Sequence, residues 1–279
     1  MTTTLRPSGP LQENADGSRV RAYEVRVNSR PVGRVELATE TPGGAAVGVI
    51  RGLWIERPDR RRGRGTVAAL AAEEVLRGWR CRTIRAAVDT GAAEALRMAA
   101  ALGYTEYSHN MVKRLPAGAP ELPEGATGRP MTAGEYDTWL AGAVGSYADF
   151  CTAGGLTAEQ ALARSRADHA TALPQGLDTP DTSFTVLEVA GEAVAHVWVR
   201  TGVTMPGGAT SYVYDVAVAE EHRGRGHGRA VMLLAERAAL AGRSRLLGLQ
   251  VYTDNTPAVR LYRSLGYRTV RHNFKKELI

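Results

Sequence analysis

The segment RGRGHGR, residues 223–229, decides how this sequence is interpreted. The stretch before it, SYVYDVAVA (211–219), is rich in β-branched and aromatic residues and predicts a strand. The stretch after it, RAVMLLAERAALAG (229–242), has apolar residues at helical spacing and predicts a helix. A glycine-rich loop between a strand and a helix exposes backbone N–H groups at the helix N-terminus, where phosphate groups bind. The segment therefore predicts a site for a phosphorylated ligand.

The spacing of the glycines excludes two common phosphate motifs. A Walker P-loop requires G-x-x-x-x-G-K-[ST], and no lysine follows the glycines here. The Rossmann fingerprint requires G-x-G-x-x-G, whereas Gly224, Gly226 and Gly228 alternate with other residues. An arginine–glycine segment that binds nucleic acid would be disordered and repeated in tandem. Because this segment lies once between a predicted strand and a predicted helix, we do not expect a nucleic-acid partner.

The same loop occurs earlier in the chain, in RRRGRGT (60–66). Gly226 follows Gly63 by 226 − 63 = 163 residues, and the same offset superimposes Leu265-Gly266-Tyr267 on Leu102-Gly103-Tyr104 without a gap. A Pro/Gly-rich stretch, PAGAPELPEGATG (116–128), separates the two copies and reads as a linker. The repeat predicts two related domains, 1–116 and 127–279, joined by a linker at 117–126.

Each copy has the same predicted order of strand, glycine loop, helix, strand, helix and strand. In the second copy, two predicted helices (131–150 and 157–173) and a hairpin (183–199) precede this order, and RHNFKKEL (271–278) is its closing strand. The first copy has a predicted hairpin at 22–38 but little room for the two early helices. We therefore expect the first domain to be a shortened copy.

Composition favours an ordinary globular protein of the cytoplasm. Of the 279 residues, 44% are hydrophobic and 23% are charged, and arginine supplies most of the net charge of +6. The start, MTTTLRPSGP, is too polar for a signal peptide, and no apolar run of about 18 residues predicts a membrane span. Cys81 and Cys151 fit neither a metal-binding spacing nor a disulfide framework, so we expect no metal.

Two motifs of the second copy resemble those of the GNAT superfamily, the acyl-CoA-dependent N-acyltransferases. Arg223-x-x-Gly226-x-Gly228 resembles the family signature R/Q-x-x-G-x-G/A, and DNTPAVRLYRSLGYRTV (254–270) resembles N-x-x-A-x-x-L-Y-x-x-L-G-F/Y. The resemblance covers about 127–279 and, less completely, 19–116. It implies an α/β (α+β) fold of two tandem domains, each a mixed, mostly antiparallel twisted sheet flanked by helices.

The resemblance also implies roles for residues of the second copy. The pantetheine arm of CoA would lie along the strand at Val216, Ala217 and Val218. Asn255 would contact the cofactor, cap the helix that follows, or do both. Tyr262 would protonate the leaving thiolate, although its place on an apolar helix face also suits packing. The residues implied for the pyrophosphate are Arg223, Gly224, Arg225, Gly226, His227, Gly228 and Arg229.

The general base is left open by the sequence. Asp215, on the cofactor strand, is the best candidate by position. Relatives with a similar strand often carry glutamate two residues later, where this chain has Ala217. A water relay or an acceptor amine of low pKa is therefore an alternative. Glu188, Glu220 and Glu221 are weaker candidates.

The first copy keeps the glycine loop but lacks the side chains to which the second copy owes its predicted chemistry. Tyr262, Asn255 and Asp215 correspond at the 163-residue offset to Ala99, Ala92 and Gly52. The first domain is therefore predicted to be non-catalytic; it could bind a second CoA or serve a structural role. The residues of this second candidate CoA site are Arg60, Arg62, Gly63, Arg64 and Gly65.

The predicted function is transfer of an acetyl or other acyl group from acyl-CoA to an amine, by direct attack within a ternary complex. The acceptor would be a small molecule or a peptide. One alternative is transfer of a longer acyl group, from CoA or an acyl carrier protein, to a peptide or natural product. Another is a non-catalytic CoA-binding or regulatory protein. The oligomeric state stays open between a monomer, with the two domains as an internal pseudo-dimer, and a homodimer.

Overall fold

The computed structural model describes residues 2–15, 17–40, 46–153 and 156–278. The chain divides into two compact units. Unit 1 contains Met1–Tyr107, Ala148–Ala161 and His272–Ile279, and unit 2 contains Ser108–Tyr147 and Leu162–Arg271. Within the described ranges, no helix has the length and apolar character needed to cross a membrane.

The described chain opens with five strands, and helices are interspersed with the strands that follow. The strands are β1 (Thr3–Pro7), β2 (Gln12–Glu13), β3 (Arg19–Val27), β4 (Arg30–Glu40), β5 (Val47–Ile55), β6 (Thr83–Asp89), β7 (Thr105–Arg114), β8 (Ala126–Pro130), β9 (Thr182–Val189), β10 (Glu192–Met205), β11 (Ala209–Val218), β12 (Leu246–Tyr252) and β13 (Arg268–Glu277). The helices are α1 (Arg64–Gly78), α2 (Ala93–Ala101), α3 (Ala133–Ala153), α4 (Ala158–Ala172), α5 (His227–Ala241) and α6 (Thr256–Ser264).

The sheet of unit 1 has the strand order β1-β3-β4-β5-β6-β13. Strands β1, β3, β4 and β5 are antiparallel neighbours, whereas β5 and β6 run parallel. Leu37, Leu76 and Ile84 are fully buried in its core. Strand β1, which sequence reasoning missed, pairs with β3 from Thr3–Val27 to Pro7–Tyr23. An N-terminal strand thus lies ahead of the hairpin in this shortened copy.

The sheet of unit 2 has the order β7-β12-β11-β10-β9-β8. Strands β8 to β11 are antiparallel neighbours, β11 and β12 are parallel, and β12 pairs antiparallel with β7. Met111, Leu187, Met232, Leu247 and Leu249 are buried in one core with the apolar face of α5. The mixed, mostly antiparallel sheet with flanking helices confirms the predicted fold class. Helices α3 and α4 and the β9–β10 hairpin lie where the sequence predicts them.

Most of the last strand of each sequence copy belongs to the unit that holds most of the other copy. Residues Ser108–Arg114 of β7 pair with β12 in unit 2, and β13 lies beside β6, where Leu278 N–H donates to Arg82 O at 2.6 Å. Residues 272–278 therefore close unit 1, whereas we expected them to close the second domain. The domain boundaries 1–116 and 127–279 thus describe the repeat in sequence, while the compact units exchange these segments.

Two equivalent ion pairs accompany this exchange. Lys113 of β7 donates to Glu236 of α5 at 2.5 Å, and Lys276 of β13 donates to Glu73 of α1 at 2.7 Å. The lysines are equivalent in the repeat, as are the glutamates, since 276 − 113 and 236 − 73 both equal 163. Because both copies contain the same lysine and the same glutamate, either last strand could form this ion pair in either sheet. The sequence pattern therefore cannot specify which strand closes which sheet.

Candidate active site

Strands β11 and β12 share only a short ladder. Their parallel pairing is limited to Ser211 with Leu247 and Tyr212 with Gly248. Buried Tyr212 lies at the end of this ladder, where a Cβ on Gly248 would come within 3.0 Å of the tyrosine ring. The remainder of β11, Val213–Val218, extends past the ladder, so its backbone on this side faces a cleft rather than β12.

A cavity of about 550 Å³ follows this cleft between β11, α5 and α6. It brings together the cofactor strand, the glycine loop and α6, which are separated in sequence. Among its lining residues are Val216, Ala217, Val218, Arg223, Gly224, His227, Gly228, Asn255 and Tyr262. Nine of the twelve residues implied for cofactor binding therefore line one cavity, whereas Arg225, Gly226 and Arg229 are not among its lining residues.

The glycine loop turns sharply into α5. Gly224 and Gly226 have φ angles of 78° and 86°, in the left-handed region that glycine adopts without steric cost, and Gly226 is the N-cap. The first N–H groups of a helix have no intrahelical acceptor, so α5 presents donors to the cavity. The side chain of Arg223 donates from Nε to Val218 O at 3.2 Å and closes the loop onto the end of β11.

Arginines of the loop are fixed to different degrees. Arg229 donates to Ser264 Oγ of α6 at 2.7 Å, which ties the first turn of α5 to the end of α6. Arg225 is exposed. Cationic side chains next to the helix N-terminus complement the charge of a diphosphate, for which arginine offers bidentate donors.

Helix α6 places Asn255 and Tyr262 on the cleft. Asn255 Oδ1 accepts from the backbone N–H of Ala258 at 3.2 Å, so the asparagine caps the helix. Tyr262 is buried, and its pKa is raised, first by burial and then by the negative charge of Asp215. A tyrosine with a raised pKa keeps its proton at neutral pH and can donate it.

Asp215 is held by two residues that sequence reasoning missed. Its Oδ2 accepts from Trp139 Nε1 of α3 at 2.7 Å and lies 3.0 Å from His196 Nε2 of β10. Burial alone would raise the pKa of Asp215, but the hydrogen bonds of His196 and Trp139 outweigh burial, and the net pKa is lowered. The carboxylate is therefore ionised at neutral pH. No spacing in the sequence pointed to these partners, because they come from different elements.

A second cavity, of about 570 Å³, lies on the α3 side of β11. Ala217, Val218 and Arg223 line both cavities, so the end of β11 lies between them. The other lining residues are Met131, Gly134, Glu135, Thr138, Trp139, Val186, Ala193–His196, Ala219 and Glu220. Glu220 was a weaker base candidate, and it lies at this cavity; Glu188 instead pairs with Arg129 at 2.7 Å.

The loop of the first copy has the same backbone but different side-chain contacts. Gly63 is the left-handed N-cap of α1, and Arg60 Nε donates to Ile55 O at 2.7 Å, as Arg223 does to Val218 O. Arg64, equivalent to His227, is buried and ion-paired with buried Asp59. This Arg64 guanidinium is thus directed to a protein carboxylate.

Around the same loop, Asp59 also accepts two hydrogen bonds from Arg30, at 2.7 and 3.0 Å, and Arg60 stacks over the Trp54 ring at 4.1 Å. Ala99 is buried where the second copy has Tyr262. Unit 1 therefore has no equivalent of Tyr262, which lines the cleft in unit 2, and it has Gly52 at the position of Asp215.

The separated strand, the phosphate-type loop and the buried tyrosine match the arrangement that the resemblance to acyl-CoA-dependent acyltransferases implies. Comparison with known families agrees: the model of the acetyltransferase (GNAT) family matches residues 4–104 and again 155–267. The chain belongs to the GNAT family, with two copies of its domain, and is an N-acyltransferase. Members of this family use acetyl-CoA as co-substrate.

Several curated acetyltransferases are similar to this chain. A mycothiol acetyltransferase of Thermobispora bispora is 34% identical over 215 residues, which is 74% of this chain and 68% of that protein. A mycothiol acetyltransferase of Nocardiopsis dassonvillei is 33% identical over 154 residues, or 53% of this chain and 44% of that protein. The chain thus spans less than half the length of this second relative.

Solved structures support the fold. A GCN5-related N-acetyltransferase from Sphaerobacter thermophilus superimposes with a TM-score of 0.60 at 19% identity, covering 92% of this chain and 80% of that one. A tandem GNAT protein from the clavulanic acid biosynthesis pathway superimposes with a TM-score of 0.54 at 19% identity, covering 95% and 85% of the two chains. At this level of identity, the similarity concerns the fold.

Proposed function

We propose that this chain acetylates the primary amine of a small molecule with acetyl-CoA, at the site in unit 2. The observation that carries this proposal is the short β11–β12 ladder. It leaves the backbone of Val213–Val218 open beside the loop amides and Tyr262. An extended pantetheine arm can pair with such an edge as an added strand would.

The glycine loop holds the diphosphate of CoA in this proposal. The N–H groups at the start of α5 and the helix dipole favour an anion there, and the guanidinium of Arg223 keeps free nitrogens while its Nε fixes the loop. Asn255 borders the same cavity and orders the start of α6. The cofactor thioester is then held at the end of β11, where both cavities meet.

The acceptor binds in the cavity on the α3 side. Met131, Val186 and Val194 give it an apolar wall, and Glu135 is already paired with Arg129 at 2.6 and 2.7 Å. Glu220 is the other carboxylate among the lining residues, and it can attract the ammonium group of an acceptor. We therefore expect an amine carried on a compact, largely apolar body.

The reaction proceeds by attack of the neutral amine on the thioester carbonyl. Holding both reactants at one end of β11 makes the addition effectively unimolecular. Backbone N–H groups of β11 stabilise the oxyanion. The raised pKa of Tyr262 keeps its phenol protonated until the C–S bond breaks. The phenol then donates its proton to the leaving thiolate.

A second candidate acceptor comes from the relatives. The Thermobispora bispora relative is named a mycothiol acetyltransferase, and its 34% identity extends over 215 residues. This extent favours the mycothiol chemistry of that name as the alternative to an apolar amine. Acyl groups longer than acetyl, and carrier-protein donors, are further alternatives for the donor.

A steady-state assay of thiol release tests the proposal. Acetyl-, propionyl- and octanoyl-CoA and an acyl carrier protein are each combined with a panel of amines, and products are identified by mass spectrometry. Tyr262→Phe should lower kcat by about 10²-fold or more, because a general acid typically contributes this much, and should leave the Kd of acetyl-CoA nearly unchanged.

Tyr267→Phe is the matched control. Tyr267 is another buried tyrosine, its ring centroid lies 5.9 Å from that of Tyr262, and its hydroxyl has no hydrogen-bond partner among the residues that the structure describes. The control variant should keep its kcat. Equal kcat values for Tyr262→Phe and the wild type would remove the acid role. Absence of turnover with every donor would remove the proposed function itself.

A further inference from the structure

The register of β10 and β11 brings His196 and Asp215 to one face of the sheet. Trp198 pairs with Asp215 and Val199 pairs with Val213, so Tyr214 is an extra, bulged residue in β11. Asp215 therefore faces the same side as Trp198, and His196, two residues earlier on β10, faces that side as well. The two side chains are diagonal neighbours, and their Nε2 and Oδ2 atoms lie 3.0 Å apart.

The residue directly opposite His196 is small. His196 pairs with Ala217 across the ladder, and both residues line the acceptor cavity. A methyl group at this position leaves the space beside the imidazole open to an acceptor. His196 keeps 27% of its side chain exposed, so it is accessible from the cavity.

Trp139 fixes the orientation of the carboxylate. Its indole donates to Asp215 Oδ2 at 2.7 Å, and its ring packs against Phe184 and Trp198 at centroid distances of 4.8 and 5.5 Å. An ionised carboxylate held in this way accepts a hydrogen bond from the Nε2–H group of the imidazole. In the neutral ring the free lone pair is then on Nδ1.

From this geometry we propose that His196 is the catalytic residue that deprotonates the acceptor ammonium, and that Asp215 is its positioning residue. The inference rests on the proposed acetyl transfer. It moves the role of base from Asp215 to a residue that sequence reasoning did not consider. His196 is among the residues that line the acceptor cavity and Asp215 is not, so the imidazole is the group of this pair that an acceptor ammonium can reach.

The protons balance as follows. The ammonium nitrogen gives one proton to His196 Nδ1, which passes it to water, and the freed lone pair forms the C–N bond while the carbonyl π electrons move to oxygen. The nitrogen of the tetrahedral intermediate gives its second proton to the same imidazole. Collapse breaks the C–S bond, the sulfur takes the phenolic proton of Tyr262, and solvent reprotonates that tyrosine.

The charged groups around His196 come from β11, from α3 and from the segment that follows β11. Asp215 of β11 contacts the imidazole, whereas Glu135 of α3 and Glu220 and Arg223 of the following segment line the same cavity. The residue opposite on β9 is Val186, which carries no charge. Glu135 is paired with Arg129, so Asp215 is the carboxylate in direct contact with the imidazole.

Two matched acceptors test the role of His196. Phenethylamine is an ammonium ion at pH 7, whereas O-benzylhydroxylamine, of similar size, is already neutral there and needs no base before attack. His196→Gln should lower kcat/KM for phenethylamine by about 10²-fold or more and should affect O-benzylhydroxylamine much less. Asp215→Asn should give a smaller loss with the same preference, and an acidic limb should disappear from the pH profile of His196→Gln. Because His196 does not line the cofactor cavity, the Kd of acetyl-CoA serves as the control for folding.

The possible results distinguish an error in the role of His196 from an error in the proposed acetyl transfer. Equal losses with both acceptors would assign His196 a structural role and overturn the inference. A larger loss in Asp215→Asn, with the acidic limb retained in His196→Gln, would return the role of base to the carboxylate. If the wild type acetylated neither amine, the proposed acceptor class would fall, and the inference with it.

Discussion

The ion pair of Lys113 and Glu236 offers a direct test of the exchanged last strands. Glu236 is 1% exposed and Lys113 17% exposed, and their Oε1 and Nζ atoms lie 2.5 Å apart. If each strand stayed with its own copy, Lys113 would instead meet Glu73, its equivalent partner within the first copy. The two arrangements therefore predict different pairs of coupled residues.

The expected loss of stability in Lys113→Met follows from the burial of Glu236. Removing one partner of a buried pair costs about 3–5 kcal/mol, because the other charge stays unpaired. We expect Lys113→Met to lower the free energy of unfolding by about 3 kcal/mol at pH 7.

A double-mutant cycle in urea is the assay. Lys113→Met is combined with Glu236→Gln in one cycle and with Glu73→Gln in the other. The first cycle should give a coupling of about 2 kcal/mol or more, and the second should give none beyond error. Arg97→Met, which removes an exposed pair with Glu94, serves as the surface control and should change stability by less than about 0.5 kcal/mol. Coupling of Lys113 to Glu73 but not to Glu236 would refute the exchange.

Two further predictions concern the loop and the edge of α3. Gly226→Ala places a side chain on a residue with φ of 86°, which strains the loop by about 1–2 kcal/mol, and should raise the Kd of acetyl-CoA about tenfold in calorimetry. The equivalent Gly63→Ala, at φ of 72°, should cost similar stability without changing affinity or a stoichiometry of one; an equal loss of affinity would show that the first loop binds CoA. Hydrogen bonds from Arg129 lower the pKa of Glu135 to about 2, so its contribution is present above pH 4.3 and is lost as pH falls towards 2. Glu135→Gln should therefore lower the free energy of unfolding at pH 7 by about 1 kcal/mol, and this difference from the wild type should vanish near pH 2. A stability difference that does not change with pH would contradict this assignment.

Much of the cofactor side could be predicted because its signals are local. The glycines at 224 and 226 directly indicate a loop that needs positive φ angles. The helix cap at Asn255 and the apolar face that carries Tyr262 both follow from the sequence of one helix. The 163-residue offset gave the tandem architecture for the same reason, since it compares positions along the chain. These features depend on spacing, which a sequence displays directly.

The acceptor side could not be predicted in this way. Trp139, His196 and Asp215 come from α3, β10 and β11, and they meet because the bulge at Tyr214 shifts the register by one residue. A one-residue shift in register turns a strand's side chains to the opposite face of the sheet. No glycine or turn residue in the sequence indicated this bulge. The partners of Asp215 were therefore invisible until the strands were paired.

The sequence by itself determined the repeat, the order of elements and the positions of the loop, the asparagine and the tyrosine, because each follows from residue type and local spacing. Tertiary structure alone decided which last strand completes which sheet, because Lys113 and Lys276 face equivalent glutamates in either arrangement. It also decided how β11 separates from β12 after Tyr212, and which side chains surround Asp215. These outcomes depend on contacts between residues far apart in sequence, and no local pattern records their energy.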